Sequence, residues 1–290
     1  MTLQGFSRTR LKAALDRLYS SFNSADSASD PVHIVRRYSD PADREVVAFF
    51  AAALAFGRVA SVLSSVESLL APMGNSPSSF VRSFKPQRDG ILLRRLRHRW
   101  VHGLDLIALV WILSQMLETA GSVEEFFMKG YKSGSTDLSE ALESFSGRAR
   151  SMDLASIYGE PLDVPGVGYF FPRPSSGSGC KRLNLFLRWM VRRDAVDMGV
   201  WSRVRTSQLV IPLDTHLVRV SRCLGLTRYR SPGWRMAVEI TSSLKELNPI
   251  DPIKYDFSLC HLGMTNLCSF TQPRRKGHCP LEGICQPSLS

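Results

Sequence analysis

An all-α protein is what this sequence predicts, and three observations predict it. Apolar residues recur at helical spacing along most of the chain, strand-like alternation is scarce, and capping residues and prolines stand where helices should start. With 290 residues, 44% of them hydrophobic and 22% charged, the chain can bury a sizeable core in one large or two small domains. That composition excludes an intrinsically disordered chain and a disulfide-stapled miniprotein. The longest apolar run, Val46 to Phe56, is 11 residues, well short of the roughly 20 that span a bilayer. No secretory signal is read after Met1. The expectation is therefore a reducing compartment, in which the six cysteines stay thiols or metal ligands.

Taken in order, Phe6 to Tyr19 reads as an amphipathic helix, and Ser21 to Asp30 as a small polar connection. Asp40-Pro41-Ala42-Asp43-Arg44-Glu45 places proline just inside a helix start, with acids in the first turn to complement the macrodipole. The helix it opens, Pro41 to Phe56, is apolar nearly all round and should lie at the centre of a core. Helical stretches follow at Val59 to Ala71, Ser76 to Phe84, Leu104 to Glu118, Ser122 to Gly130 and Leu138 to Met152. Proline, glycine and serine crowd Pro161 to Gly179, and no helix is expected there. A helix from Lys181 to Arg193 and a connection from Asp194 to Val210 come next. Asp214 to Leu224 has an N-cap in Asp214 and a C′ glycine in Gly225. Ser231 to Leu247 and Pro252 to Leu262 complete the helical part, ahead of a basic, cysteine-bearing tail.

Lys plus Arg total 37 against 26 Asp plus Glu, a net charge of +11. The excess is clustered in Arg94-Arg95-Leu96-Arg97-His98-Arg99, Arg188 with Arg192-Arg193, Arg203 with Arg205, Arg228 with Arg230, and Arg274-Arg275-Lys276. Most of it is arginine, whose planar fork grips phosphate bidentately. Any one cluster is equally a solvated helix face; together they point to a polyanion, nucleic acid above all.

Two segments carry the chemistry. Ser178-Gly179-Cys180-Lys181-Arg182-Leu183-Asn184 is a glycine turn opening a helix, with a lysine in the first turn, where the macrodipole repels a cation. That field, together with burial, favours the free amine that a nucleophile requires. The plain alternative is an exposed lysine in a basic helix. Pro212-Leu213-Asp214-Thr215-His216-Leu217-Val218-Arg219-Val220 puts a carboxylate at a helix N-terminus, where N–H groups hold it ionised; the plain alternative is a simple cap. His216 could orient Asp214, contact phosphate or merely pack. Lys181 and Asp214 are 33 positions apart, so the intervening Asp194 to Val210 must fold back for them to meet. Trp201, within it, reads first as a buried anchor.

These segments resemble the helix-hairpin-helix DNA glycosylases, the superfamily of endonuclease III and the 8-oxoguanine glycosylases. Gly179, Lys181 and Asn184 match its hairpin and nucleophile pattern, and Leu213, Asp214, Thr215, His216, Arg219 and Val220 match the segment of its essential aspartate. The order Ala55-Phe56-Gly57-Arg58, Gly179-Cys180-Lys181-Arg182-Leu183-Asn184, Ile211-Pro212-Leu213-Asp214-Thr215-His216 and Lys254-Tyr255-Asp256-Phe257 is most similar to an uncharacterised branch, domain of unknown function 2400, from about Arg37 to Cys285. The resemblance implies an all-α, two-lobed helix-hairpin-helix glycosylase fold, one lobe from the middle of the chain and the other from the N-terminal helices plus the C-terminal region. It implies a single unit over 1–290, with N-terminal helices in 31–160, the hairpin and catalytic helices in 161–225, returning helices in 226–267 and the tail in 268–290.

It further implies base-excision repair: a damaged base is flipped out of duplex DNA, Lys181 forms a Schiff base at the sugar, and strand cleavage by AP lyase chemistry follows. Asp214 would stabilise the oxocarbenium charge. Gly177 and Gly179 would offer backbone N–H groups to a phosphate, with Arg182, His216 and Arg219 as further DNA contacts. The implied partner is double-stranded DNA carrying a damaged or abasic nucleotide, with no membrane; the protein is expected to be a monomer in the cytoplasm, at the nucleoid. A non-catalytic binder of nucleic-acid lesions or structures is the alternative, and a metal-tethered interaction protein acting through its tail is another.

Endonuclease III-like tails hold a [4Fe–4S] cluster on four cysteines. Here Cys279 and Cys285 match the last pair and Cys268 stands near the first, but Lys276 occupies the place of the remaining ligand. An incomplete [4Fe–4S] set, a zinc site recruiting His278, or no metal at all are the readings left open. Cys260 could substitute only with rearrangement, and Cys180 and Cys223 read as small core residues.

Overall fold

The computed structural model describes residues 5–24, 30–159, 165–264, 279–281 and 283–285. Among them the chain is helical, as the periodicity predicts, with one short antiparallel hairpin. The helices run α1 (Gly5–Phe22), α2 (Val32–Arg36), α3 (Pro41–Ala53), α4 (Val59–Leu70), α5 (Pro77–Ser83) and α6 (Pro86–Asp89). After the hairpin β1 (Arg97–His98) and β2 (Val101–His102) come α7 (Gly103–Ala120), α8 (Val123–Met128), α9 (Ser139–Arg150), α10 (Ala155–Tyr158) and α11 (Pro165–Phe170). The last four are α12 (Lys181–Val191), α13 (Thr215–Cys223), α14 (Trp234–Lys245) and α15 (Asp256–Met264).

Helix α3 is the centre. Every residue from Val46 to Leu54 is buried, and α3 packs on α2, α4, α5 and α12. Phe49 lies edge-on to Phe186 at 5.0 Å and stacked with Phe171 at 5.6 Å. Asp40 caps α3 through the N–H groups of Ala42 and Asp43. Asp43 lies in the first turn of α3, as the sequence suggests, but it and Glu45 also serve neighbouring helices. Asp43 accepts the Ser78 N–H at 2.8 Å at the start of α5. Glu45 accepts those of Val123 and Glu124 at 2.8 and 2.7 Å at the start of α8. Each carboxylate satisfies the orphan donors of a neighbouring helix and so locks that helix to the core. Burial pushes the Glu45 carboxyl up, and its N–H donors offset part of that.

Helix α7 is long and apolar enough by composition to cross a membrane, but 61% of that window is buried inside the protein. It packs on α5, α8 and α11. The buried apolar side chains form one continuous cluster from α1 to the tail residue Leu281.

Two expectations are corrected. A helix does form within the glycine- and proline-rich stretch: α11. Proline is compatible with a first turn, and the lack of a side chain at Gly166 allows close packing on α7, since a Cβ there would stand 2.1 Å from Asp105 Oδ1. The last helix starts at Asp256 rather than Pro252, because Pro252 to Tyr255 form turns.

The connection after α12 folds back by completing that helix's C-terminus. The Trp189 carbonyl accepts the N–H groups of Met198 and Gly199 at 3.0 and 3.1 Å, and the Met190 carbonyl accepts that of Trp201 at 2.7 Å. Trp201 is the buried anchor expected, 3% exposed, and its indole N–H donates to Glu45 at 2.8 Å. Carbonyls that an α-helix leaves unpaired thus turn the chain towards Asp214.

Candidate active site

The lysine is set by the turn before α12. A 3-10 turn over Pro174–Ser176 ends at Gly177 in the left-handed region, φ 78°. Cys180 follows with φ 46°, a conformation that is uncommon for a residue with a side chain. Asn184, buried, donates from Nδ2 to the Gly179 carbonyl at 3.1 Å and ties the first turn of α12 to the loop. The Gly177 carbonyl accepts the Trp234 N–H at 3.0 Å. Lys181 is half-buried; among the described residues its Nζ makes one hydrogen bond, to the Ala55 carbonyl at 3.4 Å.

The aspartate caps α13 as the sequence predicts, its Oδ1 accepting the Leu217 N–H at 2.7 Å. Its other oxygen, Oδ2, accepts the Cys260 thiol at 3.0 Å. Burial, then the charges of Asp214 and Asp256, push that thiol well above its ordinary range, so it remains a donor.

Lys181 and Asp214 line the same cavity, about 650 Å³ in volume, together with His216, Arg219, Asp256 and Cys260. Its walls include Phe56, Leu185, Leu213 and Phe257. This is the size and character of a small-molecule or nucleoside site, apolar with a few convergent polar groups. His216 is half-buried, and its Nδ1 is buried with no hydrogen-bond partner among the described residues. Arg219 is exposed at the lining.

A second cavity of about 260 Å³ shares Ala55, Phe56, Lys181 and Leu213 with the first, and Gly179 and Arg182 line it. Arg182 donates to the Tyr169 carbonyl, and its guanidinium lies 3.2 Å from the centre of the Tyr169 ring. Burial pushes it down to about 9. Gly177 is exposed and lies outside both linings.

A charge network that the sequence obscures reaches the cavity wall through Arg188 and Asp256. Arg188 and Arg192, read there as part of a phosphate-binding cluster, are buried. Arg188 pairs with Asp197 at 3.1 Å and with Asp256; Arg192 pairs with Asp251 at 2.9 Å, Asp194 at 3.0 Å and Asp197. Arg188 in the last turn of α12 and Arg192 just after its end stand four positions apart, and the returning chain brings carboxylates to both. The residues that sequence reasoning missed are Cys260, Asp256 and Arg188. The quoted segment Lys254-Tyr255-Asp256-Phe257 marks Asp256, but nothing in the sequence pairs it with Arg188.

In the tail, Cys268, Lys276 and His278 lie outside the described residues. Cys279 and Cys285 are half-buried. Among the described residues no three His, Cys, Asp or Glu side chains group as metal ligands, and Cys260 is engaged with Asp214 instead.

Fold and site together define an all-α protein with a lysine and a capping aspartate facing one cavity. The chain belongs to the protein family of unknown function DUF2400, whose sequence pattern matches residues 30–265. Comparison with curated proteins and with solved structures returns no match.

Proposed function

We propose that this protein is a DNA base-excision glycosylase with AP lyase activity, built on a two-lobed helix-hairpin-helix scaffold in which α11, the glycine turn and α12 form the hairpin unit. One observation carries the reading: Lys181 and Asp214, 33 positions apart in sequence, line the same cavity.

In this reading a damaged nucleotide is extruded from the duplex into the 650 Å³ cavity. Lys181 Nζ, as free amine, attacks C1′; the bond from C1′ to the base breaks, and the base leaves with the electron pair and takes up a proton. The amine loses its protons as the sugar ring opens and the C1′=N Schiff base forms. Loss of a C2′ proton then expels the 3′ phosphate by β-elimination, and water returns the lysine. The carboxylate of Asp214 stabilises the positive charge developing on the sugar and relays protons. Arg219, exposed at the lining, and the net charge of +11 suit a phosphate backbone.

Borohydride trapping on duplex DNA with an abasic site tests this. A covalent adduct should form with the wild type and with Lys132→Ala, at an exposed lysine remote from the cavity lining, and should vanish in Lys181→Ala. Equal adducts in both variants would overturn the assignment of the nucleophile. A panel of duplexes bearing 8-oxoguanine, uracil, oxidised pyrimidines and alkylated purines then identifies the lesion.

A second reading, a non-catalytic binder of nucleic-acid lesions, draws on the engagement of both Asp214 oxygens. It requires tight binding to abasic duplex with no adduct at all.

A further inference from the structure

The hairpin between α6 and α7 presents an aromatic ring that the proposed chemistry does not use. Strands β1 and β2 pair Arg97 with His102 and His98 with Val101, leaving Arg99-Trp100 as the turn. Arg99 has φ 55°, a first-turn conformation normally supplied by glycine in a two-residue hairpin. Trp100 is 53% exposed, whereas Trp189 and Trp201 are 0% and 3% exposed.

The ring is held by what lies beneath it. Its face stacks on Phe56 at 4.7 Å with planes 29° apart, and Tyr169 meets it edge-on at 5.5 Å. Phe56 is fixed in turn: buried His98 donates from Nε2 to the Phe56 carbonyl at 3.0 Å, and its Nδ1 accepts from the Ser65 hydroxyl at 2.8 Å. Phe56 lines both cavities, so the indole stands beside the rim of the site. In the same segment Arg94, Arg95, Arg97 and Arg99 are all exposed, and the Arg99 guanidinium lies 5.1 Å from the Trp100 ring centre. A flat, half-exposed π face flanked by arginines on a rigid hairpin is the combination that stacks bases while gripping their backbone.

We propose that Trp100 is a stacking platform for an unpaired nucleobase, with the surrounding arginines holding the phosphates of the same strand. The inference rests on the nucleic-acid reading of the cavity and adds the position at which the opened strand is supported.

The test is fluorescence anisotropy with two labelled duplexes, one fully paired and one containing a single unpaired base, at fixed ionic strength. The proteins are the wild type, Trp100→Phe, Trp100→Leu and Trp100→Ala. Trp100→Leu keeps apolar cover over Phe56 but has no flat π face. Stacking predicts that the leucine and alanine variants lose about 5- to 150-fold in affinity for the duplex with the unpaired base. The phenylalanine variant should stay within about threefold, and affinity for the paired duplex should hardly change. Wild-type affinity from Trp100→Leu on the unpaired-base duplex, or equal losses on both duplexes, would overturn the platform. A wild type that traps abasic DNA covalently while Trp100 substitutions have no effect sinks this inference alone; a wild type that binds neither duplex sinks the nucleic-acid reading beneath it.

Discussion

The Cys260 thiol donates to Asp214 Oδ2 at 3.0 Å while the Leu217 N–H holds Oδ1. The carboxylate is thereby clamped between two helices, α13 at its own N-terminus and α15 packed against it, and its plane is fixed before any ligand arrives. A group that must face developing positive charge gains from such preorganisation. The cysteine acts through the aspartate, which makes it a positioning residue.

Substituting Cys260 separates positioning from bulk packing. Serine keeps a donor and should retain single-turnover nicking of abasic duplex within about threefold. Alanine removes a hydrogen bond to a charged acceptor, about 1–2 kcal/mol, and should slow nicking about 5- to 30-fold. Because burial and the neighbouring carboxylates push the thiol well above its ordinary value of 9.0, its alkylation by iodoacetamide should stay slow through pH 9, whereas a model thiol reacts increasingly fast up to that pH. Rates for the alanine variant equal to wild type would show that Asp214 needs no such clamp.

Asp214 combines two roles that one substitution can part. Asparagine caps helices as well as aspartate does, so Asp214→Asn should leave the melting temperature within a few degrees while lowering nicking about 100-fold or more, the scale of a lost electrostatic stabiliser. Asp214→Ala should lose both activity and about 1 kcal/mol of stability. An asparagine variant with full activity would leave Asp214 as a cap and nothing more.

What could be read ahead of the structure was local. The Asp214 cap and the Gly225 terminus of α13 are legible because capping is decided within a few residues, and the apolar circumference of α3 announces its central place. The two motif segments mark Lys181 and Asp214. What escaped depends on contacts between distant segments. Arg188 and Arg192 look like surface charge until the carboxylates of Asp197, Asp251 and Asp256 arrive from the returning chain. Cys260 is 46 positions from its partner. That Asp43 and Glu45 also hold the starts of α5 and α8 is visible only once those helices are placed beside α3. The helix α11 survives its glycines because packing on α7 overrides local propensity.

The buried ion network at the cavity wall should be costly to break from one side. Asp197 pairs with both Arg188 and Arg192, each almost wholly buried. Asp197→Ala would leave two guanidinium groups short of a counter-charge, and the penalty for breaking such a pair is about 3–5 kcal/mol. Urea denaturation should show that loss as a lower midpoint with an unchanged slope. A change under about 1 kcal/mol would mean that Asp194, Asp251 and Asp256 redistribute to satisfy both arginines.

Acid should loosen the same wall of the cavity through Asp16. This residue of α1 accepts from the Tyr255 hydroxyl at 2.8 Å and from Lys254 at 2.7 Å, immediately before α15, and it pairs with Lys12 on its own helix. Burial pushes its carboxyl up, but the donors from Lys12, Lys254 and Tyr255 outweigh that and hold it at about 2, below the ordinary 3.8. A carboxyl with a depressed folded value stabilises fully above the unfolded value and loses that contribution as pH falls through the folded one. Wild-type stability should therefore decline between pH 4 and pH 2 by more than that of Asp16→Asn, which has no carboxyl to protonate. Because α15 carries Asp256 and Cys260, amide hydrogen exchange in α1 and α15 should rise over the same interval in the wild type. Parallel acid profiles for the two proteins would show that the seat of α1 on α15 rests on apolar packing alone.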